Sequence, residues 1–380
     1  MYSLRANILE LANAVDARER RWADCKRRRR ARRLRRMNTN PFIDIPEAEF
    51  VKTFRLGKYS VRGLIEELIP LMARPRRNDS VSAEMKILIA LAFYASGSYQ
   101  NLIGQSALHN VSQITVSRAI NEVTDALAKI YHKYIKWPTQ RDERNIIKAK
   151  FYQKFNFPGV LGCIDGTHVA ILRPHVHEER YYNRKGFHSL NVMIVCDADL
   201  NILCVDASKP GSTHDSTVWQ SHPLCPHLKE ITENTNEQVF LLGDSGYPLR
   251  KTMMTPILNT VDGTPQHNYY VKHVTARNTV ERCIGVLKAR FRCLLQARAL
   301  HYSPTTAGKI VNACCILHNI ANMARAPLPP DEIYAEALRL QQDENNYAAP
   351  NYQDHRRVNR DLLEGRALQE ALVDRLWRNA

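Results

Sequence analysis

The spacing of apolar positions changes character partway along this chain. Over residues 45–135 apolar side chains recur at helical intervals. Ser82 stands as an N-cap with Glu84 in the first turn, and Ile87, Leu88, Leu91 and Tyr94 follow on one helical face. Ser96-Gly97-Ser98 stops that helix, and a short second helix is predicted from Tyr99 to Leu108. After a turn at Asn110, Ser112 caps a third helix. Here Ile114, Val116 and Ile120 are expected to face inward, and Gln113, Thr115, Ser117, Arg118 and Asn121 outward. A short helix, a tight turn and a second helix with a polar outer face make a helix-turn-helix. Gln, Asn and Arg suit base edges, and Ser and Thr suit phosphates. The five outward residues are therefore candidate DNA contacts.

From residue 151 to 325, short β-branched runs bounded by Gly and Asp alternate with helical stretches. The pattern predicts a strand at 159–165, a hairpin over 190–207 around Asp197-Ala198-Asp199-Leu200-Asn201, and a helix near 214–220. A strand at 239–244 and a helix at 275–293 complete it. This is the mixed α/β layout of one domain. Ala326-Pro327-Leu328-Pro329-Pro330 breaks the chain, and an acidic, Gln- and Asn-rich stretch follows. A C-terminal helix carries the stripe Leu368, Leu372 and Leu376 with Val373 and Trp377 beside it, fit to pack on its own domain or to bind a partner. The expected division is a disordered basic arm over 1–44, a helix-turn-helix domain over 45–137, an α/β domain over 138–325, and a linker with a C-terminal helix over 326–380.

Charge adds a partner class. The 380 residues carry a net +16, which points to a polyanion, most commonly nucleic acid. Nine of those charges lie in one block free of acids: Lys26, Arg27, Arg28, Arg29, Arg30, Arg32, Arg33, Arg35 and Arg36. Such a block is disordered or a solvated helix, and reads as a nuclear localisation signal or a phosphate-binding arm. No apolar stretch approaches the roughly 18 residues needed to span a bilayer, and polar residues interrupt the N-terminal segment where a secretory signal would be apolar. Nine scattered cysteines without a Cys-x-x-Cys pair argue against a zinc ribbon and for reduced thiols in an intracellular, reducing compartment.

Three acidic residues carry the candidate chemistry. Asp165 and Asp244 each end a buried-looking apolar run and precede Gly166 and Ser245-Gly246, and Glu281 lies in a helical stretch. Two carboxylates at strand ends and one on a helix gather into an oxygen-rich cluster if the strands are neighbours. Oxygen ligands suit hard divalent cations, and two such ions support phosphodiester cleavage. On the helix, Val280, Ile284, Leu287 and Phe291 form the apolar stripe. Glu281, Gly285, Lys288 and Arg292 form the next one, so Lys288 and Arg292 are expected to extend a positive track for phosphates. Asp215 reads as an acid at a helix start, His168 as auxiliary, and Arg184 and Lys185 as phosphate contacts or plain surface. Cys314, Cys315 and His318 read as core.

Several motifs in one order resemble the PIF/Harbinger transposases, and within them the animal transposase-derived nucleases. They are Ile164-Asp165-Gly166-Thr167-His168, Asn183-Arg184-Lys185-Gly186-Phe187-His188, Pro210-Gly211-Ser212-Thr213-His214-Asp215, Gly243-Asp244-Ser245-Gly246-Tyr247-Pro248, Val280-Glu281-Arg282 and Cys314-Cys315-Ile316-Leu317-His318-Asn319. The resemblance spans about residues 50–325. It implies an RNase H-like catalytic domain with Asp165, Asp244 and Glu281 as an Asp-Asp-Glu triad, binding Mg²⁺ with Mn²⁺ able to substitute. It also implies DNA as substrate and a Myb-like partner protein; a homo-oligomer and a location in the nucleus, and in the cytoplasm as well, are expected beside it. The competing readings are a domesticated DNA-binding protein that does not cut, and a scaffold acting through its C-terminal helix.

Overall fold

The computed structural model describes residues 2–74, 80–235, 237–328 and 360–379, so the acidic Gln- and Asn-rich stretch lies outside the described residues. The chain forms two units, one of Met1–Phe93 and Ser98–Val123, the other of Tyr94–Gly97 and Thr124–Ala380. Helices α1 (Tyr2–Met37), α2 (Pro41–Asp44), α3 (Glu47–Phe54), α4 (Lys58–Leu68), α5 (Ala83–Ser96), α6 (Gln100–Gln105) and α7 (Gln113–Lys129) come first. Then α8 (Tyr131–Tyr134) and α9 (Arg141–Phe155) lead into β1 (Val160–Ala170), β2 (Ser189–Cys196) and β3 (Ile202–Pro210). Next come α10 (Asp215–Ser221), α11 (Leu224–Thr235), β4 (Phe240–Leu242), β5 (Met253–Met254) and α12 (Pro265–Arg290). The chain closes with α13 (Pro304–Met323) and α14 (Arg360–Arg378).

In the first unit, α3 and α4 bury Phe50, Phe54, Val61, Leu64 and Leu68. The basic block lies on the helix α1, and its last arginine, Arg36, donates to the carbonyl of Asn110 at 2.8 Å. The turn between α6 and α7 is built as its residues dictate. Asn110 takes the left-handed conformation at φ 46°, and Ser112 Oγ accepts from the amide of Thr115. Val116, Ala119, Ile120 and Val123 make the buried stripe of α7. Ile114 was expected inward but is 64% exposed. It precedes Val116 by two residues, about 200° around a helix, and so falls off that stripe.

The second unit is organised by a five-stranded mixed sheet in the order β3-β2-β1-β4-β5. β1, β2 and β3 pair antiparallel, while β4 runs parallel to both β1 and β5. Trp219, Leu224, Leu228 and Ile231 of α10 and α11 cover one face, packing on Leu161, Ile164, Met193 and Val195. α12 covers the other face, where Cys163 Sγ reaches the carbonyl of Ala276. α13 lies along β3, with Gly308 against the carbonyl of Ala207. Cys314, Cys315 and His318 are fully buried in it, and His318 Nε2 lies 2.8 Å from the carbonyl of Leu200. All nine cysteines are free thiols, Cys25 alone among them exposed.

Two boundaries differ from the sequence expectation. β1 does not end at Asp165: it runs on to Ala170, because Ser189–Met193 of β2 supply ladder partners for Gly166–Ala170. The Asp-Gly pair is thus inside a strand instead of starting a turn. α12 begins ten residues early, at Pro265, where Thr264 caps it by accepting from His267 N and the proline occupies the first turn. The C-terminal helix α14 lies against α12, burying Leu372, Val373 and Leu376 and leaving Trp377 exposed. Asn268 of α12 donates to the carbonyl of Leu376. Its apolar stripe is therefore used within the chain. Among the described residues, no helix is long and apolar enough to cross a membrane.

Candidate active site

Strand register brings the first two carboxylates together. Cys163 of β1 is level with Leu242 of β4. Two residues further along these parallel strands stand Asp165 and Asp244, the first still paired to β2 and the second just past the end of β4. Asp165 is buried, 2% exposed, and its Oδ1 accepts from the amide of Gly166. Asp244 opens a loop, where its Oδ1 accepts from Gly246 N at 2.9 Å, and its side chain is 42% exposed.

The third carboxylate arrives on α12, and a cation arrives with it. Arg277 lies one helical turn before Glu281 and reaches all three acids. Its Nη2 is 2.9 Å from Asp165 Oδ2 and 4.0 Å from Asp244 Oδ2, and its Nη1 donates to Glu281. The structure thus brings the predicted triad together around one guanidinium. An Arg at i with a Glu at i+4 is an ordinary surface pair in sequence. What makes this one different is Asp165, which comes from a strand more than a hundred residues earlier.

Asp215 is a fourth acid that sequence reasoning placed only at a helix start. It lies in the first turn of α10, yet His214 is the N-cap residue. Asp215 Oδ1 accepts from Asn191 Nδ2 at 2.6 Å. It presses on β1 at Gly166: a Cβ built there would stand 2.2 Å from Asp215 Oδ1. The glycine after Asp165 is the space that this carboxylate fills. Tyr247, three residues past Asp244, is 4% exposed and its hydroxyl has no hydrogen-bond partner among the described residues.

The electrostatics follow from burial and crowding. Burial pushes the Asp165 carboxyl up to about 7, against the opposing pull of Arg277, and Asp244, Asp215 and Glu281 add to the rise. Burial likewise raises Asp215, with Asp244 contributing. Burial works against the charge of Arg277, but Asp165, Asp244 and Glu281 outweigh it and hold its pKa above the ordinary value.

The other predicted residues are distributed as follows. Gln113, Arg118 and Asn121 are exposed on α7, and Thr115 and Ser117 are half-buried there. Lys288 is 2% exposed and its ammonium donates to the carbonyl of His168 at 3.3 Å, so it lies inside rather than on a surface track. Its stripe runs beside the buried one, and Gly285 on that stripe is buried as well. Helix α12 ends at Arg290, which puts Arg292 in a following single turn, half-buried and off the helix face. His168 Nδ1 lies 3.0 Å from Ser189 Oγ. Arg184 is exposed, and its charge acts on Asp215.

An all-carboxylate donor set, with the buried Oδ2 of Asp165 ion-paired to Arg277 but without a hydrogen bond among the described residues, suits a hard divalent cation. Among the described residues no three His, Cys, Asp or Glu side chains are gathered closely enough to hold a metal, and here the guanidinium supplies the positive charge between the acids.

Comparison with known proteins agrees with this geometry. Residues 164–319 match the model of a DDE superfamily endonuclease, a span that contains all three triad carboxylates. Relatives include "Putative nuclease HARBI1" of Bos taurus, 34% identical over 79% of this chain and 88% of its own length. The Xenopus laevis protein of that name is 36% identical over 73% of this chain and 79% of its own. "Protein ALP1-like" of Arabidopsis thaliana is 26% identical over 64% and 61%. No solved structure matches. The chain belongs to the DDE superfamily of endonucleases, among the Harbinger transposase-derived nucleases that include HARBI1. A domain of this kind implies a divalent metal cofactor and a DNA substrate.

Proposed function

We propose that this chain is a metal-dependent endonuclease that hydrolyses DNA phosphodiesters with Asp165, Asp244 and Glu281 as ligands for two divalent ions, Mg²⁺ by preference and Mn²⁺ as a substitute. The observation that carries it is the convergence of those three acids on one guanidinium. The strand order β3-β2-β1-β4-β5 with α12 on one face supports an RNase H-like domain. Bound there, the ions would supply a nucleophilic hydroxide and stabilise the leaving oxygen. Asp165, carried on the middle strand, sets the position of the site, while Asp244 and Glu281 close it from a loop and a helix. The site lies where Asp244 is accessible, as a polymeric substrate requires.

The remaining parts of the proposal concern targeting. The α6–turn–α7 pair acts as a helix-turn-helix, with Gln113, Thr115, Ser117, Arg118 and Asn121 toward DNA and Arg292 as a phosphate contact. The block from Lys26 to Arg36 directs the chain to the nucleus, with some remaining in the cytoplasm, and a Myb-like partner and self-association assist DNA binding. The division into arm, helix-turn-helix domain, nuclease domain and C-terminal helix stands with this reading. Nicking of supercoiled plasmid tests it: Mg²⁺- or Mn²⁺-dependent nicking by the native chain, lost in Asp165→Ala, is the expected result. One observation favours a second reading: Arg277 already places a positive charge among the acids, as it would in a DNA-binding protein that does not cut. DNA binding without nicking by the native chain, with or without its partner, would select that reading.

A further inference from the structure

We propose that Arg277 is a positioning residue: its guanidinium is a resident counter-ion that gathers Asp165, Asp244 and Glu281 before a divalent cation arrives, and then exchanges with it. This rests on the reading of the triad as a metal centre. Three observations carry it. First, the guanidinium meets all three acids, yet only its Nη1 makes an aligned hydrogen bond. Nε and Nη2 of Arg277 and Oδ2 of Asp165 are buried without hydrogen-bond partners among the described residues.

Second, the chain contains a contrasting buried arginine. Arg144 bonds Glu237 through Nε and Nη2 and the carbonyl of Thr139 through Nη1. That pattern holds a guanidinium in one place. Arg277 has charge complementarity without the directional bonds, which is what an exchangeable counter-ion requires. Third, Arg277 can leave without moving α12. Its side chain is 12% exposed, and Val274 and Asn278 beside it on the helix are exposed, so rotation about its own bonds carries the guanidinium to solvent. A divalent ion brings two charges where the guanidinium brings one, so the exchange raises the positive charge set against the three acids and never leaves them without a counter-ion.

Two measurements test this without relying on cleavage. In the native chain, phenylglyoxal labelling read by mass spectrometry should spare Arg277 in EDTA and modify it once Mn²⁺ is added. In Arg277→Gln, Mn²⁺ should bind roughly tenfold tighter than in the native chain, by calorimetry or by paramagnetic resonance of free Mn²⁺. Asp165→Ala should not bind it. If the native chain binds Mn²⁺ through Asp165 while Arg277 stays protected and Arg277→Gln gains no affinity, the exchange is refuted and the metal centre stands. If neither the native chain nor Arg277→Gln binds Mn²⁺, the metal centre and the exchange fall together. The labelling arm uses only native protein and does not depend on the variant folding.

Discussion

Substituting Gly166 by alanine places one methyl group against the carboxylate of Asp215. The new Cβ would stand 2.2 Å from Oδ1 and 2.6 Å from Cγ, where ordinary contact begins near 3.4 Å. The strand backbone is held by β2, so the side chain of Asp215 must swing away by about 1 Å, losing the 2.6 Å bond from Asn191. A hydrogen bond to a charged group is worth about 1.5–3 kcal/mol, and removing a flexible glycine returns about 0.4–1 kcal/mol. The net expectation is a loss of about 0.5–2.6 kcal/mol, or a melting point lower by about 1–10 °C. The assay is equilibrium denaturation of Gly166→Ala, Asp215→Ala and the double variant. Because the methyl acts only through that carboxylate, the double variant should be no less stable than Asp215→Ala alone. An unchanged stability for Gly166→Ala, or additive losses in the double variant, would refute the reasoning.

Other outcomes follow from the same geometry. Asp165 has its folded pKa raised to about 7 from an unfolded value near 4, so the metal-free fold holds the extra proton. Its stability should fall as pH rises from about 4 to about 7. Mn²⁺ affinity should climb over the same window with about one proton released per ion and level off above it; calorimetry showing a flat affinity between pH 5 and 8 would contradict this. Glu237 is buried and joins Arg144 and Lys148 at 2.7 and 2.6 Å, so Glu237→Gln leaves Arg144 uncompensated and should cost about 3–5 kcal/mol by urea denaturation. Arg118→Ala, at an exposed residue suited to base edges, should weaken binding to the preferred DNA site by about 1–3 kcal/mol and relax specificity at one position, read by fluorescence anisotropy.

Much of this architecture is legible in the chain because its cues are local. Ser82, Asn110 and Ser112 mark caps and a turn through their own side chains, and the hairpin around Asp197–Asn201 appears where its turn residues sit. The Thr264-Pro265 start of α12 is equally local, since the capping hydroxyl and the first-turn proline both stand in the sequence. What sequence does not carry is pairing across distance. Asp165 reads as a strand end until β2 extends its ladder. Lys288 reads as surface until α12 meets the carbonyl of His168. Asp215 reads as a helix start and nothing local singles out Arg277, and the two become parts of one site only because β1 runs between α12 and α10.

The three acids differ in how much they can move, and this is set by where β4 stops. β4 ends at Leu242, level with Cys163, while β1 continues for seven residues more beside β2. Asp165 is therefore a fixed reference point, anchored in a ladder on one side and facing a gap on the other. Asp244 stands in that gap on a short turn, and Glu281 reaches it on a long side chain. Under the proposed function, ions of different radius, or a scissile strand at a different height, would be accommodated by the loop and the helix side chain, with the distance measured from the strand.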